Sequence, residues 1–224
     1  MTPPRARLRA IQDRSVRTRE DIRRAAGEVF DECGYAGAKL SVILDRTEGQ
    51  VTKGGLYHHY DSKEAIARDI LEVQVPMSTL QPQPLKLQEL VDTSYFYVHL
   101  LLTSPIARAG ARLALDGGLP PGIDPSEIFR SWSLHVSGLL RQAADLGETY
   151  PDLDADAIAV ILVSAYSGIQ QVTKTFDGRE SLPRRIADLW QLVLPGIAIP
   201  GLLQRIHFSP DRLNLLFPPE GANS

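Results

Sequence analysis

The segment Leu40–Tyr60 constrains the fold of this chain more than any other part of the sequence. Its apolar residues first follow a helical period that ends at Asp45-Arg46. A polar break with a glycine follows over residues 47–50, and a second short segment begins at Val51. Two short helices joined by a glycine-containing turn are the layout of a helix-turn-helix, so this stretch predicts that motif.

The second helix of the predicted motif carries side chains suited to DNA. In a helix-turn-helix this helix enters the major groove, and its first residues meet the DNA. Thr52 and Lys53 offer hydrogen-bond donors there, and Gly54 lets the backbone come close to phosphates. The predicted DNA-binding residues are Arg17, Thr18, Ser41, Thr52, Lys53, Gly54, Tyr57, His59 and Lys63.

Helical periodicity continues along the rest of the chain and predicts an all-α protein. We expect an N-terminal three-helix head with the helix-turn-helix, then a larger helical domain for ligand binding and dimerisation. The predicted boundaries are a basic flexible arm over 1–16, the head over 17–61, the larger domain over 62–200 with a linking helix over 62–75, and a C-terminal tail over 201–224. The first helix should begin near Arg17 and end at Gly34, with Cys33 on its buried face.

Two adjacent apolar helices near the C-terminus are candidates for a dimer interface. The first covers about 155–176 and is apolar on most sides, and the second begins at Ser181-Leu182-Pro183. They could pack against a second copy as four helices, or they could form the buried core of a monomer. We favour a homodimer, because helix-turn-helix heads usually bind their operators in pairs.

Positive charge is concentrated at the N-terminal end, although the net charge is −3. The first 24 residues hold eight arginines and three acidic residues, a local charge of +5. A basic head on an acidic body favours a DNA-binding module joined to a sensing domain, with a solubilising tail as the alternative.

Several other classes of protein lack support in the sequence. A single cysteine fits a reducing cytoplasm. No uninterrupted apolar run has the length of a membrane span. The N-terminal arginines are not followed by the apolar stretch of a signal peptide. No phosphate loop, nucleophile elbow or zinc-protease pair is present, so we expect neither an enzyme nor a cofactor. His58 and His59 are adjacent on a helix and cannot bind one metal from one face.

The helix-turn-helix stretch resembles the TetR family of repressors. The residues that carry the resemblance are Val51-Thr52-Lys53-Gly54, Leu56-Tyr57, His59-Tyr60 and Ser62-Lys63-Glu64. Most of the chain is similar to one subgroup, the γ-butyrolactone receptors of filamentous bacteria. The residues that carry this second resemblance are Leu71-Glu72-Val73-Gln74, the run from Arg108 to Ala114, and Trp132, Asp154, Asp156 and Gly168. This resemblance implies a homodimeric repressor that leaves a near-palindromic operator when a small diffusible lactone binds.

An apolar effector needs an apolar pocket with a few polar groups. Trp132, Tyr166 and Gln74 are the predicted ligand-binding residues, each with core packing as the alternative. The turn between the two helices is about two residues longer than the family pattern, and His58 replaces the usual aromatic hydrocarbon. Two alternatives stay open: a repressor that responds to an antibiotic or another hydrophobic effector, and a helical adaptor that binds DNA weakly.

Overall fold

The computed structural model describes residues 4–72 and 80–218, and within these ranges the chain is built from helices and turns. The only pairing of β type among them is a single bridge between Thr149 and Ala198. The predicted all-α class is therefore confirmed. The elements are α1 Pro4–Gly37, α2 Leu40–Arg46, α3 Lys53–His59, α4 Lys63–Glu72, α5 Lys86–Thr103, α6 Pro105–Leu115, α7 Ser126–Asp145, α8 Ala155–Asp177, α9 Leu182–Ile197, a 3₁₀ turn Leu203–Arg205, and α10 Arg212–Leu216.

The chain divides into two compact units. The first contains Met1–Gln74 and Ser104–Pro125, and the second contains Val75–Thr103 and Ser126–Ser224. The first unit thus includes α4 and α6 in addition to the three helices predicted for the head. The predicted linking helix over 62–75 is seen as α4 up to Glu72, and its last three residues lie outside the described residues.

The core of the first unit follows from the helical period of α1. Ile22, Ala26, Val29 and Phe30 recur at intervals of three or four residues and are almost completely buried. They pack against apolar residues of the four shorter helices, including Ile43, Leu56, Ile66, Ile70 and Leu113. This packing fixes α2 and α3, which are only seven residues long and too short to be stable as isolated helices.

Two predictions for α1 are wrong. The predicted flexible arm over residues 1–16 is helical from Pro4 onwards, because α1 begins there and runs to a kink at Gly34. Cys33 is exposed instead of buried, and its thiol donates a hydrogen bond to the carbonyl of Val29 at 3.1 Å. Gly34 departs from helical geometry with a φ of 69°, so the regular helix ends there as expected.

The second unit packs α5, α7, α8 and α9 together. Asp154 caps α8 by accepting hydrogen bonds from the backbone nitrogens of Asp156 and Ala157 at 3.2 and 3.0 Å. Helix α9 begins at Leu182 with Ser181 as its N-cap residue, as the sequence predicts. Helix α7 begins at Ser126.

Candidate functional sites

The turn between α2 and α3 is closed by local hydrogen bonds. The buried Thr47 hydroxyl donates to the carbonyl of Leu44 at 2.7 Å. Glu48 and Gly49 then take left-handed backbone conformations, with φ values of 53° and 80°. Two successive left-handed residues reverse the chain within a few residues.

Helix α3 presents its first turn to solvent. Thr52 is its N-cap residue, and the Thr52 hydroxyl accepts a hydrogen bond from the Gly55 nitrogen at 3.0 Å. Lys53, Gly54 and Tyr57 are exposed, whereas Leu56 is buried against the core. A Cβ atom added at Gly54 would meet no neighbouring atom within 4 Å, so this side of the helix is open and a DNA backbone could approach it closely.

An open groove of about 220 Å³ lies between α2 and α3. Its walls are Leu40, Ser41, Leu44, Lys53, Leu56 and Tyr57. Three of these residues, Ser41, Lys53 and Tyr57, were predicted DNA contacts, and the structure brings them to one surface. An ammonium and two hydroxyls around an apolar floor suit a sugar-phosphate backbone, which is charged along one edge and apolar along the other.

Lys63 is held inside the first unit, away from this groove's walls. Its ammonium donates to the carbonyls of Tyr35 and Ala38 at 2.6 and 2.9 Å, and it lies 4.2 Å from the centre of the Tyr35 ring. Two of its three donors are therefore satisfied by the turn that precedes α2. These hydrogen bonds tie Lys63 to the turn that precedes α2, and its contact with DNA stays a prediction.

The remaining predicted DNA contacts are spread over the first unit. Arg17 is exposed on α1, and the Thr18 hydroxyl donates to the carbonyl of Arg14 at 2.9 Å. His59 is half-buried at the end of α3, and its pKa is lowered by burial and by the neighbouring charges of His58 and Arg19. It therefore acts mainly as a neutral hydrogen-bonding group at pH 7.

A polar cluster that the sequence did not predict joins α1 and α4 to Tyr60, the residue that follows α3. The Tyr60 hydroxyl donates to Asp69, and the same carboxylate accepts from Arg19 and Arg23 at 2.9 and 3.0 Å. Burial favours the protonated form of Asp69, but the Tyr60 hydrogen bond and the two arginines prevail and lower its pKa. Charges spaced 46 and 50 residues apart along the chain give no local signal, so only the fold reveals this cluster.

Three aromatic rings meet in the second unit. The Tyr97 ring lies 4.9 Å from the Trp132 ring and 5.3 Å from the Tyr166 ring, measured between centres. All three side chains are partly accessible, yet burial raises the pKa of Tyr97 to about 12 and that of Tyr166 well above 10. Both phenols are therefore neutral hydrogen-bond donors at any physiological pH.

Ser94 on α5 accepts two hydrogen bonds next to this aromatic cluster. The Tyr166 hydroxyl donates to the Ser94 carbonyl at 2.8 Å, and the Trp190 indole nitrogen donates to the Ser94 hydroxyl at 2.8 Å. Among the described residues no protein group bonds the Tyr97 hydroxyl, which leaves it available to a ligand. Trp132 and Tyr166 are predicted ligand-binding residues, and the structure brings them together with Tyr97, which the sequence did not single out. Gln74 lies outside the described residues.

Apolar side chains remain exposed on α8 and α9. Val160, Ile161, Val172 and Phe176 on α8 and Leu192 on α9 are each roughly half exposed or more. By length and composition α8 could also cross a membrane, which the sequence analysis did not anticipate. Its inward side carries the buried polar residues Gln170 and Thr173, and its outward side is an apolar surface typical of protein interfaces.

Two family descriptions match the chain. Residues 22–70 match "Bacterial regulatory proteins, tetR family", and residues 85–200 match "Tetracyclin repressor-like, C-terminal domain". The first match contains the helix-turn-helix and the second contains the aromatic cluster.

Individual relatives agree with these matches. The A-factor receptor protein of Streptomyces griseus is 37% identical over 202 residues, which cover 90% of this chain and 71% of that protein. The structure of TylP, a TetR regulator from Streptomyces fradiae, is 34% identical and superposes with a TM-score of 0.77, covering 90% of this chain and 96% of TylP. A γ-butyrolactone receptor described as ArpA-like is 30% identical, with a TM-score of 0.72 and coverage of 90% and 98%.

Proposed function

The chain belongs to the TetR family of bacterial regulatory proteins, and we propose that it is a repressor released from DNA by a small lactone of the γ-butyrolactone type. TetR regulators bind operator DNA, dimerise and are not enzymes. We further propose that the protein acts in the cytoplasm, where its DNA target is found.

The exposed first turn of α3 supports the DNA contacts. In the proposal Lys53 and Thr52 contact bases or phosphates in the major groove, and Ser41 and Tyr57 hold the adjacent phosphates. Arg17, Thr18 and His59 add contacts along the flank of the head. Two heads in a dimer then bind the two halves of a near-palindromic operator.

The aromatic cluster of Tyr97, Trp132 and Tyr166 is the single observation that carries the effector proposal. Aromatic walls with an available phenol offer a lactone an apolar surface for its alkyl tail and a donor for its carbonyl. Similarity to the A-factor receptor and to a γ-butyrolactone receptor favours a lactone over other apolar effectors. An antibiotic effector is the second candidate, since the same cluster would accept a planar aromatic compound.

Operator binding is tested by titrating the protein against DNA from upstream of its own gene at several salt concentrations. We expect binding to weaken steeply with salt, because phosphate contacts release counterions. Lys53→Ala should weaken binding by about 1–3 kcal/mol if it contacts a base, or lower the salt slope by about one if it contacts a phosphate. Arg205→Ala is the matched control, because it removes one exposed positive charge from the second unit and should change neither quantity.

Effector release is tested by adding γ-dodecalactone, a γ-butyrolactone with an alkyl tail, to the preformed complex. We expect the lactone to dissociate the wild-type complex and to quench tryptophan fluorescence. Trp132→Ala should bind DNA normally and resist release, because the aromatic wall is lost. DNA binding that no lactone disturbs would reject the lactone, and release by an antibiotic instead would favour the second candidate. Weak binding even at low salt would favour the helical adaptor.

A further inference from the structure

The C-terminal segment Leu202–Phe217 packs along one face of α5 in the second unit. This segment follows residue 200, where the family match to the body of the protein ends. The α5 residues that it covers are spaced along one helical stripe, and they are Gln88, Asp92, Tyr95, Phe96 and His99. We call Leu202–Phe217 the C-terminal strap.

Polar contacts fix the strap to α5 at three levels. Arg212 donates two hydrogen bonds to the buried Asp92 carboxylate, at 2.8 and 2.7 Å. One turn earlier, the Gln88 side chain accepts from the His207 nitrogen at 2.7 Å and donates to the His207 carbonyl at 3.1 Å. The Tyr95 hydroxyl donates to the Phe208 carbonyl at 2.8 Å.

The last residue of the strap adds an aromatic contact. The Phe217 ring stacks on His99 with 4.2 Å between ring centres, and it lies 5.8 Å from Phe96. The strap therefore contacts about three turns of α5, from Gln88 to His99.

The opposite face of α5 belongs to the aromatic cluster. Ser94 and Tyr97 point away from the strap, because a helix turns about 100° per residue. Ser94 holds Tyr166 and Trp190, and Tyr97 lies between Trp132 and Tyr166. Helix α5 is thus contacted on two opposite sides, by the strap on one side and by the proposed effector site on the other.

The aromatic rings leave little room between them. Ring centres 4.9 and 5.3 Å apart are in direct contact. A ligand group placed between two rings needs roughly 3.5–4 Å on each side, or about 7 Å between the rings. An effector that enters between Tyr97 and its neighbours must therefore widen these gaps, and a shift of α5, which carries Tyr97, would widen both gaps at once.

We propose that the C-terminal strap is an autoinhibitory contact that holds α5 against the aromatic cluster and so raises the effector concentration needed for release. This inference rests on the effector site proposed above. The strap stabilises the closed arrangement of the rings through Asp92, Gln88 and His99, and the effector binds the open one. Apparent affinity for the effector is then proportional to the fraction of molecules that are open, so the strap weakens it by lowering that fraction.

Two strap variants test the proposal without leaving a buried charge unpaired. Asp92→Asn/Arg212→Gln removes the ion pair from both sides at once, and Phe217→Ala removes the ring that stacks on His99. Arg141→Ala is the matched control. It removes the ion pair between Arg141 on α7 and Asp156 on α8, which is equally close but lies on the exposed surface.

Two probes report on the opening of the aromatic cluster. The first is γ-dodecalactone, measured by release of operator DNA, and the second is the apolar dye N-phenyl-1-naphthylamine, measured by fluorescence. We expect both strap variants to respond to about three- to tenfold lower concentrations of each probe, because the open fraction rises. Amide hydrogen exchange should become faster in α5, while DNA affinity without effector stays unchanged.

The outcomes separate the strap from the effector itself. Unchanged dye affinity and unchanged exchange in α5 would overturn the proposal and leave the strap as packing alone. Weaker dye binding by the strap variants would also overturn it, because the strap would then support an open site. If the wild type binds the dye but no lactone, the lactone proposal fails while the dye and the exchange measurements still decide the role of the strap.

Discussion

His135 has a buried ring nitrogen, Nε2, with no hydrogen-bond partner among the described residues. Burial lowers the pKa of this imidazole below its ordinary 6.5, and the charge of Glu89 opposes the shift in part. Burial is also the main cause that lowers the pKa of His59 and of His99. All three side chains therefore favour the neutral form in the folded protein.

These depressed pKa values predict a loss of stability in mild acid. Below pH 6.5 the unfolded chain binds more protons at these imidazoles than the folded chain does, so the free energy of unfolding falls as pH falls. The slope is at most about 1.4 kcal/mol per pH unit for a histidine that is protonated only in the unfolded chain. Urea unfolding between pH 7.5 and 5.5 measures it, and His135→Phe should make the slope shallower. An identical slope in the variant would show that the pKa of His135 is the same in the folded and the unfolded chain.

At the scale of elements, α1 and α6 approach each other closely at Gly27. A Cβ at this position would lie 3.0 Å from backbone atoms of Pro105 and Ile106, which cannot rotate away. An ion pair from Arg108 to Asp31 at 2.8 Å and a bond from the Tyr35 nitrogen to Asp116 at 3.1 Å hold the same two helices together. Helix α6 is therefore an integral part of the DNA-binding unit.

This close approach predicts the effect of adding one methyl group. Gly27→Ala should destabilise the protein by about 1–3 kcal/mol through overpacking, although alanine favours helix formation. Gly110→Ala is the control on α6, where a Cβ meets no atom within 4 Å, and it should stabilise by up to about 1 kcal/mol. Urea unfolding at pH 7 compares the two, and equal stability of Gly27→Ala and the wild type would contradict tight packing at this crossing.

At the scale of the whole molecule, the exposed apolar surface of α8 and α9 is the proposed dimer interface. Ile161→Glu places a charge on this surface, where it would be buried without a partner in a dimer. We expect the variant to sediment as a monomer and to lose operator affinity, because the two heads are no longer joined. Leu134→Glu on α7 is the control, since Leu134 is 69% exposed but lies on another helix. A dimeric Ile161→Glu variant would place the interface elsewhere.

The sequence by itself determined the parts of this protein that depend on neighbouring residues. The helix-turn-helix, the cap at Asp154 and the start of α9 after Ser181 all follow from local periodicity and capping chemistry, which act within a few residues. The family resemblance was visible for the same reason, because its strongest residues form one contiguous run from Val51 to Glu64.

The tertiary structure alone decided which partners the remaining side chains have. Lys63 bonds carbonyls 25 and 28 residues away, and Tyr166 reaches Ser94 across 72 residues. The strap joins Arg212 to Asp92 across 120 residues. Such contacts form when helices pack, and a helical period tells which face of a helix is buried but not which helix covers it. That is why the ring contacts of Tyr97 and the position of the C-terminal strap could not be predicted from the sequence.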